Sequence, residues 1–263
     1  MDIARKTIPE IKKIIDAASE GRQVELFSQL LDDPRAGVRK LLKAYRSEKA
    51  RLEATKNAYE ELTRFERKLY SQGFKMIAGV DEAGRGALAG PIVAAAVILP
   101  EQSQLYGIKD SKLLSPEKRE ILYEKIINTA IAWNVVRIEH YDIDANGIQW
   151  ANLRSLEMAA LGLNPAADYI LSDGFDIKTL TIPHLAITKG DNLSVSIAAA
   201  SIIAKVTRDR IMQAYHAEYP QYGFDQHKGY GTLLHKKAIE KYGPAPIHRK
   251  YFAPVAEYEQ LSF

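Results

Sequence analysis

Met76-Ile77-Ala78-Gly79-Val80-Asp81-Glu82-Ala83-Gly84-Arg85-Gly86, followed closely by the apolar run Ile92 to Leu99, decides how this chain folds. Met76 to Val80 and Ile92 to Leu99 read as strands, and Gly84, Gly86 and Gly90 permit a tight connection between them. Downstream, Ser115-Pro116 opens a helix to about Thr129, and Ile131 to Ile138 reads as a strand. Ile148 to Leu161 is predicted helical, Asp168 to Leu171 a strand, Leu180 to Ile187 a weaker strand, and Ser194 to Tyr215 a long helix. Strands alternating with helices predict an α/β domain.

Upstream the texture changes. Thr7-Ile8-Pro9-Glu10 has the pattern of a capping box, and Ile8, Ile11, Ile14 and Ile15 then give one apolar face. A second helix runs from about Gln23 to Leu31. A third starts at Asp33-Pro34 and keeps apolar residues at mostly three- and four-residue steps until Gly73. The expected organisation is a helical extension over residues 1–72, an α/β domain over 73–255 and a flexible tail over 256–263, frayed after Pro254. Residues 1–75 carry 17 Lys plus Arg against 12 Asp plus Glu. Within the third helix Arg35, Arg39, Lys40, Lys43, Arg46, Lys49 and Arg51 face only Glu48, which describes either a solvated helix face or one that meets phosphates.

Composition narrows the chemistry. The 263 residues include no cysteine, which excludes a disulfide scaffold, a thiolate nucleophile and Cys-ligated zinc or iron-sulfur sites. Any metal must sit on oxygen or imidazole. The longest apolar stretch, Ala87 to Pro100, is too short to span a bilayer at roughly twenty residues. With no apolar run behind Met1, the expectation is a cytoplasmic protein without a membrane segment. Neither a His-Glu-x-x-His pair nor a Gly-x-Ser-x-Gly elbow is present.

Gly79 and Gly84 have the spacing of a P-loop, but Arg85 and Gly86 stand where Lys and Ser or Thr are needed, and Asp81 and Glu82 would repel a triphosphate. Two acids at the carboxyl end of a strand are instead half of a hard-metal site, at the place where open α/β sheets bind ligands. A solvated surface turn is the alternative. Asp173 leaves another strand and Asp191 precedes the long helix; by themselves they read as a turn and a cap. Four converging carboxylates carry a charge that two divalent cations would balance.

The ordered set Gly79 to Gly86, Lys109-Asp110-Ser111-Lys112, Leu171 to Gly174, Lys189-Gly190-Asp191, Ala198 to Asp209 and His227 to Thr232 resembles the bacterial ribonuclease HII family over roughly Phe74 to Val255. The resemblance implies a ribonuclease H-like fold, a central mixed β-sheet flanked by helices, here with an all-helical N-terminal extension. It implies an endonuclease that cuts the RNA strand of RNA-DNA hybrids, and duplex DNA on the 5′ side of single ribonucleotides, leaving 3′-hydroxyl and 5′-phosphate ends. Asp81, Glu82, Asp173 and Asp191 would be both catalytic residues and ligands of two Mn²⁺ or Mg²⁺ ions. Gly84, Arg85 and Gly86 would touch the ribose 2′-hydroxyl and its phosphate. Tyr230 would contact that ribose and stack on the following deoxyribose. Ser201 and Lys205 would approach backbone phosphate, although Lys205 could simply pair with Asp209. Lys109, Asp110 and Ser111, with Lys112, would line the same groove or cap the next helix.

Arg85 between two glycines favours type II over type III, where Lys usually stands. The ending Gln260-Leu261-Ser262-Phe263 looks like a shortened sliding-clamp peptide. The expected partners are therefore RNA-DNA hybrid, ribonucleotide-containing duplex DNA and a clamp, with the chain acting as a monomer. Three other readings use the same acids: a type III ribonuclease H acting on longer RNA runs, a silent hybrid-binding module and an enzyme of small phosphate esters.

Overall fold

The computed structural model describes residues 3–260 and has two compact units that divide between Ala58 and Tyr59. In the first, α1 (Ile8–Asp16) begins as the capping box predicts, with the Thr7 N–H donating to Glu10 Oε2 at 2.8 Å. With α2 (Glu20–Gln29) and the start of α3 (Ala36–Leu62), it buries a small core that includes Ile11, Ile15, Leu26, Leu30, Val38 and Leu42. From Arg46 to Ala58 every residue of α3 except Thr55 is exposed.

The single third helix expected to reach Gly73 is interrupted at Thr63. Its hydroxyl donates to the Glu60 carbonyl at 2.8 Å and its N–H is shared between the Tyr59 and Glu60 carbonyls, so the regular ladder stops and restarts as α4 (Arg64–Ser71). Gly73, at φ +98°, then closes α4 while the Phe74 N–H returns to the Leu69 carbonyl. Leu69 packs with Ile77, Leu171, Ile187 and Ile197, so α4 belongs with the sheet. The change of sequence texture near Gly73 and the division of packing at Ala58 are separate features.

The sheet-bearing unit continues as β1 (Ile77–Ala83), β2 (Ile92–Ile98), α5 (Pro116–Thr129), β3 (Ala132–Ile138), α6 (His140–Asn146), α7 (Ile148–Leu161), β4 (Tyr169–Asp173) and β5 (His184–Ile187). It ends with α8 (Val195–Glu218), α9 (Phe224–His227), α10 (Leu233–Tyr242) and α11 (Val255–Gln260). The strands lie in the order β3-β2-β1-β4-β5. β1 runs antiparallel to β2 and parallel to β4, giving the mixed sheet flanked by helices that the resemblance implies. On one face Val80, Ala94 and Ala96 pack with Leu156 and Ala159 of α7. On the other, Ala95, Val97 and α5 residues pack with the Ala198–Ala204 stretch of α8. Both faces are covered, which is why β2 reads as a continuous apolar run.

Four of the described helices, α6, α9, α10 and α11, were not apparent in the sequence. α6 is short, and α10 buries His235, Ala238 and Ile239, so a histidine occupies one slot of its apolar stripe. The segment after Pro254, expected to fray, forms α11 because Val255 is fully buried in a cluster that Phe252 and Tyr258 flank. Residues 261–263, most of the clamp-like ending, lie outside the described residues. Among the described residues no helix is long and apolar enough to cross a membrane.

Candidate active site

Parallel pairing of β1 with β4 sets Val80 opposite Ser172, which brings Asp81 and Asp173 to neighbouring strand ends. Asp191 arrives from the turn Gly190–Asn192, whose entry is fixed by Lys189 in the left-handed region at φ 56°. One carboxylate oxygen from each of Asp81, Asp173 and Asp191 lies within 4.8 Å of the others. The Gly190 N–H donates to Asp173 Oδ1 at 2.6 Å, the Glu82 N–H to Asp81 Oδ1 at 2.7 Å and the Asn192 amide to Asp191 Oδ1 at 2.9 Å. Each bond orients a carboxylate.

Burial, and then the neighbouring carboxylates Glu82 and Asp173, push the Asp81 carboxyl well above its ordinary range, with the Ser201 hydrogen bond opposing. Burial followed by the charge of Asp173 pushes Glu82 up to about 7. Asp173 and Asp191 are raised too, in each case chiefly by burial. Lys112 Nζ lies 3.7 Å from Asp191 Oδ2, and the acids around it hold it charged against the cost of its own burial. One cation cannot balance four acids. Glu82, expected as the fourth member, is not in the group of converging oxygens, although its Oε2 is buried without a hydrogen-bond partner beside them. All-oxygen donors of this kind fit a hard divalent cation.

Of the four acids Glu82 lines a cleft of about 710 Å³, and Lys112, 3.7 Å from Asp191, lines it too. Gly84, Arg85, Gly86, Ser111, Ser201, Lys205 and Tyr230 line it, together with Lys112, Ile148 and Phe252. Of the remaining sequence candidates, Lys109 is exposed and outside this lining, and Asp110 caps the turn Ser111–Leu113 by accepting from the Lys112 N–H at 2.9 Å. Ser111 and Ser201 share a hydroxyl hydrogen bond of 3.0 Å. Lys205 pairs with Asp209 at 2.7 Å and also stands 5.7 Å from the Tyr230 ring centre, so the ion pair and the cleft position coexist. The Arg85 guanidinium lies over the Phe175 ring at 4.6 Å.

Behind the glycine loop two arginines are fully buried. Arg249 donates to the carbonyls of Gly84, Arg85 and Gly90 at 2.7, 2.8 and 3.1 Å. Arg208 donates to those of Lys228, Pro91 and Ala89 at 2.8, 3.0 and 3.1 Å. A Cβ on Gly84, itself at φ +94°, would come within 1.9 Å of Arg208 Nε, so only glycine admits this frame.

A family profile described as Ribonuclease HII matches residues 78–255, and one described as Ribonuclease HII N-terminal domain matches residues 7–70. Ribonuclease HII of Pelotomaculum thermopropionicum is 44% identical over 251 residues, 95% of this chain and 94% of its own. The chain belongs to the ribonuclease HII family. As a ribonuclease HII it is an endoribonuclease, a phosphodiester hydrolase. Among solved structures, ribonuclease H2 of Pyrococcus horikoshii OT3 matches with a TM-score of 0.62 and 28% identity, over 70% of this chain and 97% of its own. The ribonuclease HII of Archaeoglobus fulgidus, solved as a complex with PCNA, matches with a TM-score of 0.60 and 26% identity, over 67% of this chain and 95% of its own.

Sequence reasoning about this ribonuclease HII passed over Phe252, Ile148 and the two buried arginines. An Arg beside Asp209 on a helix reads as surface charge. The one available signal was the density of glycine between Gly79 and Gly90, which asks what approaches so closely.

Proposed function

We propose that this ribonuclease HII hydrolyses the RNA strand of RNA-DNA hybrids and nicks duplex DNA on the 5′ side of a lone ribonucleotide, leaving 3′-hydroxyl and 5′-phosphate ends. The observation that carries the reading is the meeting of Asp81, Asp173 and Asp191 beside a cleft lined by Gly84, Arg85, Gly86 and Tyr230. Asp81, Glu82, Asp173 and Asp191 would hold two divalent ions, Mg²⁺ or Mn²⁺. When bound, such ions supply Lewis acidity and lower the pKa of an attacking water. The bonds from Gly190, Glu82 and Asn192 each fall on Oδ1 of one aspartate and fix its orientation, while Lys112 stands 3.7 Å from Asp191 Oδ2.

Substrate reading falls to the walls. Arg249 fixes the peptide planes of the Gly84-Arg85-Gly86 loop from behind, and a Cβ at Gly86 would meet nothing within 4 Å, so the loop's front is open to a ribose. Its amides and the Arg85 side chain contact the 2′-hydroxyl and its phosphate. Tyr230, 36% exposed, offers a ring face to the next sugar. Ser111, Ser201, Lys112 and Lys205 bind backbone phosphates as hydroxyl and ammonium donors. In the extension, Arg39, Lys43 and Arg46 are exposed and grip phosphates farther along the duplex. The ending Gln260-Leu261-Ser262-Phe263 docks on a sliding clamp, a reading that the PCNA complex of the archaeal relative supports; equal clamp binding by a chain lacking those four residues would remove it.

Cleavage of an end-labelled duplex with one ribonucleotide, beside a continuous RNA-DNA hybrid, tests the main reading. A nick 5′ of the lone ribonucleotide supports it. Cleavage of the continuous hybrid alone moves the enzyme to type III specificity, and cleavage of neither leaves a binding module.

A further inference from the structure

Glu66 is the buried acid that the cleft does not use. It stands on α4 with 3% of its surface exposed, in the segment that precedes the sheet. Its Oε1 accepts from the Ser194 hydroxyl at 2.5 Å and from the Ser196 N–H at 3.0 Å, so it seizes the first turn of α8. Ser194 already caps α8 by accepting from the Ile197 N–H, and a helix of 24 residues needs no second cap in order to form. Burying a further carboxylate, with Oε2 lacking any partner, is costly and calls for another reason.

The reason lies in what that turn touches. The main chain of Ser196 presses on β1 at Gly79, two residues before Asp81, so closely that a Cβ there would come within 2.0 Å of the Ser196 carbonyl carbon. The Ser194 N–H donates to the Gly190 carbonyl at 2.8 Å, and the Gly190 N–H donates to Asp173. Asp191 is the next residue. From Glu66, then, one step reaches α8, the next reaches β1 and the Gly190 turn, and the third reaches all three aspartates.

We propose that Glu66 is a positioning residue for the carboxylate cluster: it anchors the first turn of α8 against β1 and the Gly190–Asn192 turn, and so sets the spacing of Asp81, Asp173 and Asp191. The inference rests on the reading of those acids as the cation-holding set. It also makes α4 part of the hydrolytic machinery, although α4 lies in the stretch matched by the N-terminal domain profile.

The test is Mn²⁺ titration by calorimetry on the full-length chain, as wild type, Glu66→Gln, Glu66→Ala and Ser194→Ala, at a temperature where circular dichroism finds each folded. Glu66→Gln keeps an acceptor for both bonds and stays within roughly threefold of wild type, whereas Glu66→Ala weakens Mn²⁺ about tenfold to a hundredfold, the usual effect of losing a group that orients ligands. A folded Glu66→Ala chain that melts earlier yet binds Mn²⁺ like wild type overturns the proposal and leaves a stability cap. If Glu66→Ala does not fold, Ser194→Ala decides: weakened Mn²⁺ binding supports the anchor and unchanged binding overturns it. A wild-type chain that binds no Mn²⁺ overturns the reading of the cluster, and this inference with it.

Discussion

Arg249 is a fully buried guanidinium, and burial, reinforced by the neighbouring charge of Arg208, lowers its pKa to about 9. Three backbone carbonyls are its acceptors, and Arg249→Met takes this donor from those of Arg85 and Gly90, while that of Gly84 keeps the Ala87 N–H at 3.2 Å. At roughly 1 kcal/mol or more for each of the two orphaned acceptors, the expected loss in urea unfolding is about 2 kcal/mol. Cleavage at a lone ribonucleotide should fall more than cleavage of a continuous hybrid, because a loosened Gly84-Arg85-Gly86 loop has only one ribose to find; equal losses would mean that the frame is structural only. Asp173→Asn should have the opposite effect on stability. It removes one charge from a crowded acidic cluster while Oδ1 can still accept from Gly190, so the metal-free variant should melt above wild type. At this scale the sequence was informative where chemistry needs unusual residue types, as in Asp81-Glu82 between glycines. It was silent where an ordinary Arg or Glu is buried, because Arg208, Arg249 and Glu66 differ from surface charges only in what surrounds them.

The packing of α8 on β1 is the most constrained pairing of elements. Gly79→Ala would drive a Cβ into main chain rather than into a yielding side chain, so α8 must move; overpacking of this kind costs about 1–3 kcal/mol or more, measurable by urea unfolding. A stability within error of wild type would contradict the packing. On α3, replacing Arg39, Lys43 and Arg46 together by Ala should lower the slope of log affinity against log salt for hybrid by up to about 2.7, at roughly 0.9 for each phosphate that is no longer neutralised. An unchanged slope would leave that face merely solvated. Most elements were legible because periodicity marks them: β1 and β2 from apolar runs, α5 and α8 from Ser caps. The break at Thr63 was not, since a hydroxyl that competes for its own helix's carbonyls leaves the apolar spacing intact. Nor was α10, whose buried face includes His235.

For the molecule as a whole, acids and histidines pull stability in opposite directions with pH. Glu82, raised to about 7, opposes the folded state when ionised, so its stabilising contribution is complete below its ordinary pKa of 4.5 and is lost as pH rises through about 7. His235 and His248, lowered to about 3 and about 4 chiefly by burial, stabilise above their ordinary 6.5 and lose that contribution as pH falls below it. Between pH 6.5 and pH 8 the two effects oppose each other, so the melting temperature of the metal-free chain should change little, whereas Mn²⁺ should raise it more at pH 8, where protons no longer compete for the carboxylates; a Mn²⁺-induced rise that is the same at both pH values would contradict the electrostatics. The central claim is that the same acids carry catalysis, and the most direct measurement is single-turnover cleavage of a duplex with one ribonucleotide by wild type and Asp173→Asn across a Mg²⁺ titration. The account expects wild type to nick 5′ of the ribonucleotide and Asp173→Asn to be slower by about a thousandfold at every Mg²⁺ concentration, near 4 kcal/mol of barrier, while binding the duplex as well as wild type. Cleavage by Asp173→Asn at the wild-type rate would contradict it.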